Sequence, residues 1–245
     1  MTTQPTYNFN NKTAIVTGAG GGMGKEITLA LSKFGANIYG IDLKEKPEEY
    51  TNLNIKYFQE DITKFEKIDL IFDQAFKETK RLDFLANVAG VLLFGKDKSL
   101  VDIDLDVYDQ VININLKAPL FISKLAAESL KENNGCIINI TDIHASNPLI
   151  NHAIYCISKA GLIILTKSLA KELAPNIRVN AISPGAITWP DGMDSETKEN
   201  IINQTVLKKM GDAKDIAKTV IFLIEDASYI TGQILNVDGG KTLFL

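Results

Sequence analysis

The sequence is poor in the residues that staple small secreted folds or hold metals. Among 245 residues there are two cysteines, Cys136 and Cys156, and two histidines, His144 and His152. The cysteines have neither the short paired spacing of a metal-ligand set nor the number of a disulfide framework, so they read as reduced packing residues and no metal site is expected. Positive charge is not in excess either. Lys and Arg number 26 against 30 Asp and Glu, a net charge of −4 with lysines spread along the chain, which argues against a phosphate-neutralising nucleic-acid surface. No apolar stretch reaches the roughly 20 residues of a membrane span. The opening MTTQPTYNFNN lacks the basic start and apolar centre of a signal peptide, so a cytoplasmic protein is expected. What is present, 45% hydrophobic and 23% charged residues, is the composition of a globular protein with ample material for a core.

Strand-like and helix-like patterns alternate along the chain. Short apolar runs closing in Gly, Asp or Pro predict strands over 12–18, 37–42, 55–61, 82–90, 135–142, 176–185 and 233–240. Between them, helical periodicity follows the first glycine turn and recurs over 64–80, over a long stretch of 101–133 with Pro119 as an internal kink, over 155–173 and over 212–225. Residues 186–211, with Trp189, Pro190, Gly192 and many polar groups, read as a substrate-binding lid containing a short helix. No low-complexity linker interrupts 1–245, so a single α/β domain is expected, a doubly wound seven-stranded parallel sheet with helices on both faces.

The turn after the first strand reads TGAGGGMG, with Gly18, Gly22 and Gly24 spaced GxxxGxG. Glycines there let backbone turn tightly towards a pyrophosphate, which the amides of the following helix attract. Asp42 ends the next strand twenty residues after Gly22. A carboxylate at that place accepts from both ribose hydroxyls of NAD and repels the 2′-phosphate of NADP, so NAD(H) is favoured over NADP(H), with Lys25 and Lys44 as the nearby cations that could favour NADP(H). Asp61 can contact the adenine edge or cap the turn beside Thr63.

In YCISK, Tyr155 and Lys159 lie four residues apart, one turn on a helix. A phenol beside an ammonium is suited to proton transfer, because the cation should draw the tyrosine pKa down towards neutrality.

The series TGAGGGMG, NVAG (87–90), Asn115, IINITD, YCISK and SPGAIT (183–188) resembles the short-chain dehydrogenase/reductase family over nearly the whole chain. The resemblance implies a three-layer Rossmann-type fold, a homotetramer or homodimer, and hydride transfer between a nicotinamide and a carbonyl, alcohol or C=N group. It implies Tyr155 as general acid/base, Lys159 as its partner and ribose ligand, and Asn115 as the holder of a proton-relay water. Along the cofactor it places Gly18, Gly20, Gly22, Met23, Gly24, Asp42, Asp61, Ile62, Asn87, Ala89, Gly90, Pro184, Gly185, Ile187 and Thr188.

Thirteen residues before the tyrosine, where the family has serine, this chain has Asp142; Thr141 could supply the hydroxyl instead. An ionised carboxylate accepts hydrogen bonds but cannot donate them, so it would raise the tyrosine pKa and suit a substrate bearing N–H donors. With INITD, SPGAITWPDGMD and TGQILNVDGGKTLFL, Asp142 resembles the pteridine reductase and dihydromonapterin reductase branch. That branch implies a small pterin-like substrate touched by Asp142; His144, which flanks the site in sequence, could also touch substrate, and Trp189 of the lid could stack on a flat heterocycle. The alternatives are a ketone or alcohol oxidoreductase, such as a 3-oxoacyl thioester reductase, and a non-catalytic NAD-binding regulator.

Overall fold

The computed structural model describes residues 7–93, 102–189 and 192–244. Seven strands form one sheet: β1 (Thr13–Thr17), β2 (Asn37–Asp42), β3 (Ile55–Gln59), β4 (Phe84–Asn87), β5 (Cys136–Ile140), β6 (Arg178–Pro184) and β7 (Ile234–Val237). Their order is β3-β2-β1-β4-β5-β6-β7 and every pairing is parallel. The helices are α1 (Gly22–Lys33), α2 (Phe65–Thr79), α3 (Leu105–Ile112), α4 (Ala118–Glu132), α5 (Ala153–Glu172), α6 (Ser195–Asn203) and α7 (Ala213–Glu225).

Parallel strands covered on both faces need apolar side chains on both, and TAIVT and CIINI supply them, every residue being buried. Alternation sends Ala14, Val16, Phe84, Ala86, Cys136 and Ile138 to one core, with Ile27 and Leu31 of α1 and Ile216 and Val220 of α7. Ile15, Tyr39, Leu85 and Ile137 go to the other, with Ile68 and Phe72 of α2, Ile122 and Leu130 of α4, and Leu169 of α5. The chain winds one way from β1 through β3, then crosses to β4 on the other side of β1. Such a reversal opens a crevice at the carboxyl ends of the strands, where ligands of open α/β sheets bind.

The helix expected over 101–133 differs most. It is α3 and α4 joined by one π-helical turn, Asn113–Lys117, with Asn115 buried at its centre. Pro119 sits in the first turn of α4 and does not kink a continuous helix. It has no N–H to give the carbonyl of Asn115, four residues back, so the regular ladder fails where the wider turn forms. β5 stops at Ile140, which leaves Thr141 and Asp142 beyond the strand end. The short helix expected in 186–211 is α6, none of whose residues is buried. Pro190 and residue 101 lie outside the described residues. By length and composition α5 could cross a membrane, contrary to the reading of the sequence. Its Leu162 and Leu169 are buried and its neighbour in the fold is β6, which is where its apolar character goes.

Candidate active site

The glycine turn passes from β1 into α1 with little room. Gly18 has φ +71°, and a Cβ there would lie 2.7 Å from the Ala89 nitrogen; one on Gly24 would lie 1.9 Å from the Gly18 oxygen. No side chain caps α1 and its first turn carries no acidic residue, so its first amides remain available to an anion. Gly18, Gly22, Met23, Gly24, Asp42, Asp61, Ile62, Ala89, Gly90 and Thr188 line one cleft of about 440 Å³ beside that terminus. These residues fit a dinucleotide.

Asp42 accepts from the Gly20 N–H at 2.8 Å through one oxygen and from the Lys44 N–H at 2.9 Å through the other. Gly20 thus acts behind the cleft wall, fixing the acid. Lys25 pairs with Glu49 at 2.7 Å, whereas Lys44 lines the cleft, with its ammonium 3.3 Å from where a Gly21 Cβ would stand. Asp61 lines the cleft, and its Oδ1 accepts from the Thr63 N–H and Oγ1 at 2.8 Å, as a cap of that turn. Asn87 is different. It is buried, its amide donates to Ser123 Oγ (3.2 Å) and Asn139 Oδ1 (2.9 Å), and it does not line the cleft.

A second cavity of about 330 Å³ adjoins the first, sharing Met23, Gly90 and Thr188 and adding Thr141, Asp142, Tyr155, Lys159, Pro184, Gly185, Ile187 and Trp189. Tyr155 and Lys159 project into it from successive turns of α5, both buried. The Lys159 ammonium lies 5.9 Å from the Tyr155 ring centroid and donates to the Ile140 carbonyl at 2.9 Å. The Tyr155 hydroxyl donates to Asp142 Oδ2 at 2.7 Å, and Asp142 Oδ1 accepts the His144 N–H at 2.8 Å, capping the turn Ile143–Ala145. Asp142, not Thr141, therefore meets the tyrosine. Thr141 is buried and its hydroxyl donates to the Ile182 carbonyl at 2.9 Å.

This arrangement corrects the expected depression of the tyrosine pKa. Burial, and then the charge and hydrogen bond of Asp142, push the Tyr155 phenol well above its ordinary value. Lys159 is lowered to about 8 by burial, against the opposing pull of Asp142.

Asn115 holds the loop after β4. Its Oδ1 accepts from the Val91 N–H at 2.8 Å, and its Nδ2 donates to the Val91 carbonyl at 2.9 Å and to Ser158 Oγ at 3.0 Å. A Cβ on Gly90 would come within 3.1 Å of Lys159 Nζ and 3.2 Å of Asn115 Oδ1, so a bare backbone passes between them. His144 is not part of the cavity wall; its ring Nδ1 pairs with the Asn147 carbonyl at 2.9 Å, which closes its own turn. Trp189 does line the cavity. Sequence reasoning missed Lys241, a buried lysine in the turn Lys241–Leu243 whose pKa is lowered by burial against the opposing charge of Asp142. A single lysine between GG and TLFL was the available signal.

The profile described as Enoyl-(Acyl carrier protein) reductase matches residues 18–242. A Staphylococcus epidermidis protein named 3-oxoacyl-[acyl-carrier-protein] reductase is 36% identical over 244 residues, covering 94% of this chain and 98% of the relative. An NAD-dependent glycerol dehydrogenase of Listeria innocua is 33% identical, covering 97% of this chain and 96% of its own. A 7alpha-hydroxysteroid dehydrogenase of Bacteroides fragilis is 30% identical, covering 96% of each. These names do not support the pteridine reductase branch that Asp142 and the C-terminal half suggest. With a glycine-turn cleft, a Tyr–Lys pair beside it and relatives aligned almost end to end, the chain belongs to the short-chain dehydrogenase/reductase family and is an NAD(P)-dependent oxidoreductase.

Proposed function

We propose that this enzyme interconverts a carbonyl compound and the corresponding alcohol, with Tyr155 as the proton-transferring group. The observation that carries this reading is the Tyr155–Asp142 hydrogen bond in a cavity that opens onto the nucleotide cleft and also holds Lys159. Substrates named for the relatives, a 3-oxoacyl thioester, a hydroxysteroid and glycerol, all react at a carbon–oxygen bond.

A bound nicotinamide would exchange the hydride. In reduction, the Tyr155 hydroxyl turns from Asp142 to the substrate oxygen and gives up its proton there. In oxidation, the Tyr155 phenolate accepts the proton of the substrate hydroxyl and becomes the phenol again. Lys159, held by Ile140, offers positive charge to the phenolate and a donor to a ribose; Asn115 fixes the 90–91 backbone beside both. This intact set argues against a non-catalytic regulator.

Asp42 supports NAD(H) over NADP(H), with Lys44 as the competing influence. The single domain, the lid over 186–211 and a cytoplasmic setting remain part of the proposal. So does assembly into a homotetramer or homodimer, supported by exposed Leu120, Phe121, Ile157 and Ile164 on α4 and α5. Pterin-like heterocycles form a second reading, favoured by the carboxylate at 142 and by Trp189 in the cavity wall, where an indole could stack on a flat ring.

The test is NADH and NADPH consumption with acetoacetyl-CoA and with a dihydropterin, and NAD⁺ reduction with glycerol and secondary alcohols. Turnover of the dihydropterin alone would replace the leading reading with the second. Nucleotide binding without turnover of any of these would overturn both.

A further inference from the structure

Proton transfer to a substrate requires the Tyr155 hydroxyl to leave the partner it has here. Its proton goes to Asp142 Oδ2 at 2.7 Å, and a hydroxyl has only one proton to give. Turned to a substrate oxygen, it leaves Oδ2 in the cavity wall without its donor. A part-buried acceptor stripped of its donor weakens binding unless the ligand supplies another.

The carboxyl group is held where it stands. Its Oδ1 accepts the His144 N–H at 2.8 Å, capping the turn Ile143–Ala145, so Oδ2 stays on the side of the phenol. Among the described residues, the His144 N–H and the Tyr155 hydroxyl are the donors that Asp142 receives. Two other donors of the same wall are committed elsewhere. The Thr141 hydroxyl donates to the Ile182 carbonyl at 2.9 Å. The Lys159 ammonium donates to the Ile140 carbonyl at 2.9 Å, and no ion pair joins it to Asp142 among the described residues.

The spacing of the two oxygens says what a ligand must bring. Tyr155 Oη and Asp142 Oδ2 stand one hydrogen bond apart, at 2.7 Å. A ligand that engages both needs two oxygens at a similar separation, one that accepts from the phenol and one that donates to the carboxyl group. Oxygens on adjacent carbons meet this in their staggered gauche form, which sets them about one O–H···O length apart. The phenol then donates to the reacting oxygen while the neighbouring O–H donates to Oδ2. A ketone without that hydroxyl, or with only carbonyls and ethers beside the reacting carbon, faces Oδ2 with no donor. Val91, Leu92 and Ile187 give the same cavity an apolar side for the carbon chain.

We propose that Asp142 is a specificity-determining residue that selects substrates with a hydroxyl on the carbon next to the reacting one, 2-hydroxy ketones in reduction and vicinal diols in oxidation. The inference deepens the proposed function and rests on it for turnover.

The test sets hydroxyacetone against two analogues. Methoxyacetone keeps the oxygen beside the carbonyl but has no proton to donate, and butanone puts a methyl group in the place of the hydroxyl. The wild type should show a kcat/KM about thirtyfold higher for hydroxyacetone than for either, because a site that accepts from a substrate hydroxyl rejects the analogue lacking it. Asp142→Asn keeps the size of the side chain. With its amide oxygen still on the His144 N–H, it turns an NH₂ donor towards the phenol, so the advantage over methoxyacetone should fall below about threefold. A wild-type ratio below about threefold against both analogues, or an advantage over methoxyacetone undiminished in Asp142→Asn, would overturn the assignment while leaving carbonyl reduction intact. A second arm needs no turnover. In titrations of the NADH-loaded enzyme followed by nucleotide fluorescence, 1,2-propanediol should bind the wild type about tenfold more tightly than 1-methoxy-2-propanol, with the difference lost in Asp142→Asn. Equal binding of the two by the wild type would overturn the inference. If the wild type turns over no carbonyl or alcohol, the proposed function fails and these titrations still decide what Asp142 selects.

Discussion

The Tyr155 hydroxyl donates to the Asp142 carboxyl group at 2.7 Å, while the Lys159 ammonium stands 5.9 Å from the ring centre. This order inverts the expected electrostatics, and burial and Asp142 both raise the phenol pKa. Removing the carboxylate should lower it. In Asp142→Ser the rising limb of the kcat/KM–pH profile for alcohol oxidation should move down by about one to two pH units, since a phenolate free of a neighbouring carboxylate forms more readily. A pH–rate profile checks this; an unmoved limb would mean that Asp142 does not set the ionisation of Tyr155.

Lys159 is a buried charge held at a cost to the fold. Its pKa is lowered from 10.5 to about 8, chiefly by burial, so the unfolded chain binds more protons than the folded one between those values. Stability from this group therefore rises with pH from about 8 to about 10.5, and below 8 the full penalty applies. Lys159→Met should gain roughly 1–3 kcal/mol at pH 7, lose the pH-dependent rise, and lose about a hundredfold or more in kcat/KM. Urea unfolding at pH 7 and 10 together with initial rates tests the trade; a variant less stable than wild type at pH 7 would contradict it.

What was legible in the sequence followed from local periodicity and short spacings. The buried strands announced themselves as apolar runs, and one helical turn joined Tyr155 to Lys159. Asp142 was visible as a carboxylate at a fixed distance before the tyrosine. Its contact with the phenol could not be read, because it depends on β5 ending at Ile140 and on the capped turn that follows. The π turn was hidden because 101–133 carries helical periodicity on both sides of it, and only Pro119 marked the place where the ladder breaks. His144 looked like a site residue by proximity in sequence, but its ring closes its own turn.

Cofactor choice turns on Asp42 and Lys44. Asp42 is held by the Gly20 and Lys44 N–H groups, yet each oxygen keeps a lone pair for a ribose hydroxyl. The wild type should favour NADH over NADPH by about tenfold, an energy gap of about 1.4 kcal/mol, because a 2′-phosphate would meet that carboxylate. Asp42→Ala should erase the preference, and adding Lys44→Ala should then weaken NADPH more than NADH. Parallel fluorescence titrations measure this. A wild type that binds NADPH tenfold more tightly would show that the Lys44 ammonium outweighs Asp42.

Asp83 tests whether the frame and the site can be separated. It precedes β4 at the amino-terminal edge of the sheet, opposite the cavity, and is only 1% exposed. Its carboxylate accepts from Arg81 Nε at 2.8 Å and Nη2 at 2.6 Å, from the Thr13 N–H at 2.9 Å and from Lys12 at 3.1 Å. In Asp83→Ala the Arg81 and Lys12 heads, which are partly exposed, can turn to water, but the buried Thr13 amide is left without an acceptor. The cost should be about 2–3 kcal/mol, set by that orphaned donor and the lost charge-assisted bonds. For a chain of this size that lowers Tm by about 5–10 °C. Because Asp83 and the Gly90 backbone flank β4 at opposite ends, kcat/KM measured well below the melting range should stay within about twofold of wild type. A loss of activity without a loss of Tm would show that the amino-terminal edge communicates with the cavity.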